Sequence, residues 1–341
     1  MQLKPIRDQV AVIVGASSGI GRITAKKFAQ QGAKVVAASR SIDGLTTLVG
    51  EIHDFGGEAI AVPADVAEYE QVEAIAAKAV QEYGRIDTWV HAAATGIIAP
   101  FDQLTPQEFK RVIDVNLNGQ AYGAMAALPH LKREGQGSLI HITSVEARRS
   151  LPYQSVYSAS KHGVEGFLDA MRLELMHEGY NINVANILPA VINTPYYNKV
   201  QTKLGVKPTG VPPYYSPELV ADSILYAAEH PTRDMIVGDV GRVVDLLQRI
   251  APKVADSLLL AIAFPGQKTP EPKSADSPSN VFEAVPPELG YDRVEGDFGQ
   301  LTIPSFLDWF DRNPIAKWGT TAALAATGIA VLLNSALDKP M

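Results

Sequence analysis

One short stretch constrains this chain more than any other: the apolar run Val10–Val14 followed by Gly15-Ala16-Ser17-Ser18-Gly19-Ile20-Gly21. The apolar run stops at a glycine, and a helical pattern takes over from Ile20 to Gln31. An apolar run that short reads as a buried strand, and a strand feeding a helix through a glycine turn belongs in an α/β sheet. Glycines let the backbone turn tightly and approach a pyrophosphate with no Cβ in the way. The helix start adds unpaired N–H groups and a partial positive charge. The spacing is G-x-x-x-G-x-G rather than the commoner G-x-G-x-x-G. A glycine trio alone also fits a tight turn that binds nothing; its place between strand and helix favours a dinucleotide.

The same alternation continues down the chain. Lys34–Ala38, Ala59–Val62, Thr88–Ala92, Ser138–Thr143, Ile182–Leu188 and Met235–Val237 read as strands. Ile42–Phe55, Glu68–Tyr83, Pro106–Arg133 (one helix or two), Val156–Glu178 and Pro217–Glu229 read as helices, the last opened by Ser216 as cap. The expected fold is α/β, a doubly wound Rossmann-type parallel sheet with helices on both faces, plus a C-terminal helical extension. The nucleotide then belongs at the carboxyl ends of the strands, at the topological switch point. The expected division is a catalytic and cofactor-binding domain over 1–245, an extension over 246–316 and an apolar tail over 317–341. Within the extension Leu246–Phe264 is apolar and helical, and Gly266–Glu288 is a Pro/Ser-rich linker or a loop draped over the domain.

Composition narrows the chemistry. The 341 residues contain no cysteine, which excludes disulfides, thiolate nucleophiles and cysteine-ligated metals. The seven histidines form no compact ligand pair, so no metal site is expected. A net charge of −7 gives no general attraction to nucleic acid. Met1–Gln9 carries Lys4, Arg7 and Asp8 before a short apolar run, which does not read as a secretory signal; the main domain is expected in the cytoplasm or facing it.

Three further places carry chemistry. At the end of the second strand, Ser39 and Arg40 stand where an acid would bind the ribose 2′-hydroxyl of NAD; Arg40 suits a 2′-phosphate, which favours NADP(H) over NAD(H). Asp65-Val66 follows the third strand: the carboxylate accepts from an adenine amino group, or it caps the helix near Glu68, or both. Tyr157 and Lys161 are four residues apart on a helix, with Ser144 upstream. That spacing puts phenol and ammonium on one face, where the ammonium is expected to lower the phenol pKa and make it a general acid or base. Ser144, ending a strand, is placed to bind the same substrate oxygen. Tyr and Lys at this spacing also occur by chance on many helices; the upstream serine and glycine loop decide for function.

These residues resemble a classical short-chain dehydrogenase/reductase over about residues 8–240. Gly15, Gly19 and Gly21 match its cofactor loop, which also contains Ser17, Ser18 and Ile20. Asn116, Ser144, Tyr157 and Lys161 match its catalytic tetrad in order and approximate spacing. The resemblance implies that Tyr157 is the acid/base and Ser144 orients the substrate oxygen. It makes Lys161 also a ligand of the nicotinamide ribose, and Asn116 the holder of a water linking the lysine to solvent. Pro189, Ile192 and Thr194 match the segment that contacts the nicotinamide carboxamide, and Ser39-Arg40 resembles the NADP-preferring subgroup. The implied reaction is hydride transfer between NADP(H) and a carbonyl or alcohol, in a homodimer or homotetramer. The chain departs from the family at His91-Ala92-Ala93-Ala94 in place of N-N-A-G, at Val14 in place of threonine and at Ala190 in place of glycine. Ala92 and Ala93 remain in the expected cofactor site.

Substrate-facing segments are expected at Thr95–Phe101, Val145–Tyr153 and Tyr196–Tyr215. Arg148 and Arg149 are expected to be a solvated pair rather than a grip on an acidic substrate. Trp318–Leu337 is twenty residues without a charge, about the length of a membrane span; a helix packed on protein is the equal alternative. Two other functions stay open: a dinucleotide-binding, tail-anchored scaffold or redox sensor, and an epimerase or dehydratase with a retained cofactor.

Overall fold

The chain is described here by a computed structural model, which covers residues 3–313. The expected tail segment Trp318–Leu337 lies outside the described residues; among the described residues no helix is long and apolar enough to cross a membrane.

Strands and helices alternate: β1 (Val10–Val14), α1 (Gly19–Gln30), β2 (Lys34–Ser39), α2 (Ile42–Asp54), β3 (Glu58–Pro63), α3 (Tyr69–Tyr83) and β4 (Thr88–His91). A short β5 (Ile97–Ile98) precedes α4 (Pro106–Ile113) and α5 (Gly119–Glu134), which a π-helical turn at Asp114–Asn118 joins without a break. Next come β6 (Gln136–Ile142), α6 (Ser155–His177) and β7 (Asn181–Pro189). An irregular segment holds α7 (Tyr196–Lys199), β8 (Gln201–Thr202) and β9 (Val206–Pro208) before α8 (Pro217–Glu229) and β10 (Asp234–Val237). The extension adds α9 (Asp239–Ile250), α10 (Pro252–Gly266), β11 (Lys268–Pro272) and α11 (Phe306–Asp311).

The main sheet has the order β3-β2-β1-β4-β6-β7-β10, and every pairing in it is parallel. The chain leaves β1 in one direction to β2 and later crosses to β4 on the other side, so the switch point lies between β1 and β4. Residue alternation divides the core. Ala11 and Ile13 of β1 pack with Phe28 of α1, Leu45 and Leu48 of α2 and Ile224 of α8. Val12 and Val14 pack on the opposite face with Val72 and Ile75 of α3, Leu131 of α5 and Val164 and Leu168 of α6. β1 is buried along its whole length.

Local signals set the helix ends. Ser216 caps α8, its hydroxyl accepting from the Glu218 N–H at 3.2 Å, with Pro217 in the first turn. Thr105 and Glu108 form a reciprocal capping box on α4. The extension is helical as expected, with a break and a short strand that the sequence reading did not place. The apolar stretch Leu246–Phe264 is two helices, broken at Ala251-Pro252, where proline removes a donor. Position 245 falls inside α9. Beyond α10, β11 pairs antiparallel with β9, and the following residues run back over the main domain.

Candidate active site

The glycine turn between β1 and α1 sits at the switch point. Gly15 has φ +87°, and a Cβ there would lie 2.5 Å from the Ala93 nitrogen and 2.7 Å from its Cα. Glycine is therefore required both by backbone conformation and by the close approach of the β4 end. Ser18 precedes α1 with no side-chain cap bond; its hydroxyl instead accepts from Lys199 Nζ at 3.0 Å. Arg22, 2% exposed, ties the turn to α2 through Nη1, which donates to the Ser17 and Gly44 carbonyls at 3.1 and 2.9 Å.

One cavity of about 380 Å³ begins at this turn. It is lined by Gly15, Ser17, Ser18, Gly19, Ile20 and Gly21, then Ser39, Arg40, Asp65 and Val66, then Ala92 and Ala93. Further along it meets Ser144, Tyr157 and Lys161, and the far wall holds Pro189, Ile192 and Thr194. Of the catalytic and cofactor-binding residues expected from the sequence, only Asn116 stays off this lining. It is fully buried in the π-helical turn; its Nδ2 donates to the Thr95 carbonyl at 2.8 Å and to Ser160 Oγ at 3.3 Å, and its Oδ1 accepts from the Thr95 N–H at 2.8 Å.

Tyr157 lies in the first turn of α6 and faces the cavity; Lys161, 1% exposed, lies one turn on. Lys161 Nζ donates to the Ile142 carbonyl at 2.9 Å and stands 5.4 Å from the centre of the Tyr157 ring. Ser144 hydrogen-bonds Tyr157 and accepts from the Glu146 N–H at 3.1 Å. The pKa pattern corrects the sequence expectation. Burial lowers Lys161 to about 7, with Glu146 opposing. Burial, and then the Glu146 charge, raises Tyr157 above its usual value, and only the Ser144 hydrogen bond pulls it down. In the packed site the Lys161 ammonium therefore does not bring the phenol below its usual value.

Glu146 was not singled out in the sequence. It is 8% exposed, lines the cavity, accepts from Ser158 Oγ at 2.6 Å, and is raised by burial to about 7. Its position two residues past Ser144 was visible, but nothing in the sequence said it would be buried.

Other expectations need correction. Asp65 does not cap α3: its Oδ1 accepts from the Ala67 N–H at 3.0 Å and its Oδ2 meets Arg111 Nη2 at 2.5 Å, while Glu68 takes the cap position without a side-chain bond. Arg148 and Arg149 are half-buried and ion-paired rather than a free solvated pair. Arg148 pairs with Glu165 at 2.5 Å, and Arg149 pairs with Asp256 of α10 at 2.5 Å and with Gln248 of α9 at 3.0 Å. Thr95–Phe101 does not line the cavity; Ile97, Ile98 and Ala99 are buried, and Thr95 Oγ1 is bound by Asn280. The third wall is instead apolar and comes from the extension: Val240, Val244, Leu259 and Ile262 of α9 and α10, with Asn280, Ala284, Val285 and Asp292 beyond them. No local motif marks that wall in the sequence.

Residues 9–205 match the short chain dehydrogenase family. The chain belongs to that family. The chain is 38% identical to the uncharacterized oxidoreductase YxnA of Bacillus subtilis strain 168 over 328 residues, 96% of this chain and 91% of YxnA, so the likeness runs through the extension. It is 36% identical to 3beta-hydroxysteroid dehydrogenase 1 of Eggerthella lenta over 192 residues, 56% of this chain and 73% of that one. Its fold matches the alcohol dehydrogenase of the archaeon Thermococcus sibiricus, solved with 5-hydroxy-NADP, with a TM-score of 0.60 at 26% identity, over 67% of this chain and 95% of that one. The short-chain dehydrogenase fold and an oxidoreductase role follow from these matches.

Proposed function

We propose that this short-chain dehydrogenase interconverts a carbonyl and an alcohol by hydride transfer with a nicotinamide dinucleotide, and that Tyr157 is the general acid/base. The observation that carries the reading is one cavity that joins the glycine turn to Ser144, Tyr157 and Lys161. The chain's groups fit such a cofactor: a glycine cradle with no room for a Cβ, a helix N-terminus, and the cations Arg40 and Lys199 on the same lining. When bound, the dinucleotide supplies or accepts the hydride.

The protein's part is the proton and the orientation. Tyr157, raised by burial, holds its proton until a carbonyl oxygen gains negative charge, and then donates it. Ser144 donates a hydrogen bond to the same oxygen, and Lys161 below the ring steadies the phenolate that forms. Pro189, Ile192 and Thr194 hold the carboxamide end, and Asp65 and Val66 the adenine end. Arg40 supports NADP(H) over NAD(H), since a guanidinium attracts a 2′-phosphate where an acid would repel it. The walls at Val211, Val244, Leu259 and Ile262 suit a substrate with an apolar body.

Tyr157→Phe tests the reading. The variant is expected to bind NADPH like the parent and to lose turnover of an apolar ketone panel by about 10²–10⁴-fold, the usual worth of a positioned acid. Undiminished turnover in the phenylalanine variant would sink the assignment.

A further inference from the structure

The extension does more than wall the cavity. After β11 it crosses the adenosine end of the cleft as a strap. Val281 is fully buried against Ile97, Ala99, Val112 and Val156, and its carbonyl accepts from Arg111 Nε at 2.9 Å. Arg40, the residue that favours a 2′-phosphate, is held by this strap: Nη2 donates to the Asn280 carbonyl at 2.5 Å and Nη1 to the Phe282 carbonyl at 3.1 Å. Further along, the Arg293 carbonyl accepts from the Gly19 N–H at 2.8 Å, at the start of α1.

Between these anchors the strap inserts a carboxylate. Asp292 Oδ2 accepts from Ser41 Oγ at 2.7 Å, and Oδ1 accepts from Lys199 Nζ at 2.9 Å. A Cβ on Gly44 would lie 2.5 Å from Asp292 Oδ2 and 2.9 Å from Ser17 Cβ, so the carboxylate is wedged between the glycine turn and the start of α2. Asp292 lines the same cavity as Arg40 and Lys199. The place is the end of β2, where the ribose of a dinucleotide's adenosine meets the protein.

Two anions compete for these donors. A 2′-phosphate brings nearly two negative charges beside a fixed third one, and it needs the same Ser41 hydroxyl and Lys199 ammonium. A 2′-hydroxyl brings none and can donate to the carboxylate. Arg40 already donates to two strap carbonyls and stands 4.0 Å from Asp65 Oδ2, so a 2′-phosphate would share the guanidinium with them.

On the reading of this cleft as a dinucleotide site, we infer that Asp292 is a specificity residue of the cofactor site, supplied by the C-terminal strap, which penalises a 2′-phosphate and accepts a ribose hydroxyl. The choice between NADP(H) and NAD(H) is a contest between Asp292 and Arg40. The acid that β2 lacks is delivered from about 250 residues downstream.

The test uses the full chain with Asp292→Asn, which keeps an acceptor for Ser41 and loses the charge, and Asp292→Ser as a second variant against misfolding. Calorimetric titration with adenosine 2′,5′-bisphosphate and with 5′-AMP separates the 2′-phosphate from the rest of the ligand. The expected result is binding of the bisphosphate tightened about tenfold or more in both variants, with 5′-AMP unchanged or weaker. An equal shift for both ligands, or no shift while binding persists, overturns the inference and leaves the dinucleotide reading standing. Failure of parent and variants to bind either nucleotide overturns that reading and the inference with it.

Discussion

Gly15→Ala is a sharp test of the cofactor cradle. The new Cβ would sit 2.5 Å from the Ala93 nitrogen and 2.7 Å from its Cα, both backbone atoms that no rotamer change can move. Ordinary contact is about 3.5 Å, so the turn and the β4 end must part by about 1 Å. The φ of +87° adds about 1 kcal/mol of backbone strain for any side chain. Overpacking of this size costs about 1–3 kcal/mol, so the total is about 2–4 kcal/mol and Tm falls by roughly 5–10 °C. A shift of about 1 Å in a group that positions a reactant costs on the order of 10²-fold, and NADPH affinity should fall by about that factor. The control is Gly50→Ala in α2, where a Cβ meets nothing within 4 Å and φ is not positive; it should leave binding alone and stabilise by about 0.5–1 kcal/mol. Fluorescence titration of NADPH and thermal unfolding of the three proteins read both effects. Binding by Gly15→Ala close to that of Gly50→Ala would refute the claim that the turn closes on the cofactor.

Two further outcomes are expected. Glu146, raised by burial to about 7 from 4.5, binds its proton more tightly in the folded chain than in the unfolded one; its contribution to stability is full below about pH 4.5 and is lost as pH rises through 7. Glu146→Gln removes this titration, so urea unfolding should show the parent losing ground to the variant between pH 5 and 8; a constant difference across that range would refute the assignment. Asp308, 2% exposed, accepts from the Gly238 N–H at 2.7 Å and pairs with Arg242 at 2.6 Å, and so fastens α11 to the start of α9. Asp308→Ala should cost about 2–3 kcal/mol and speed proteolysis near residue 306; a stability within about 0.5 kcal/mol of the parent would show that the extension is held elsewhere.

Strand and helix identities were legible along the main domain because burial on both faces of a parallel sheet writes continuous apolar runs, and helices between them write a different period. Val10–Val14 and Pro217–Glu229 came out with the bounds expected. The glycine turn was legible for the same local reason: a tight turn and a close backbone approach leave few residue types to choose from. Ser144, Tyr157 and Lys161 could be named in advance because one helix and one strand end carry all three, and the folded chain brings them to one cavity.

What the sequence could not contain was anything set by distant neighbours. The direction of the Tyr157 pKa depends on how deeply Tyr157 itself is buried and on the Glu146 charge near it, and burial is a property of the packed chain. The cap reading of Asp65, one of two the sequence left open, fails because Arg111 of α4 takes its carboxylate, and Arg148 and Arg149 read as a solvated pair although Glu165 and α10 bring them ion-pair partners. Arg40 stated a preference for a 2′-phosphate by its position alone. Only the tertiary structure set Asn280, Phe282 and Asp292 around that position, because a strap without periodicity or motif is placed by the surfaces it covers rather than by its own residues.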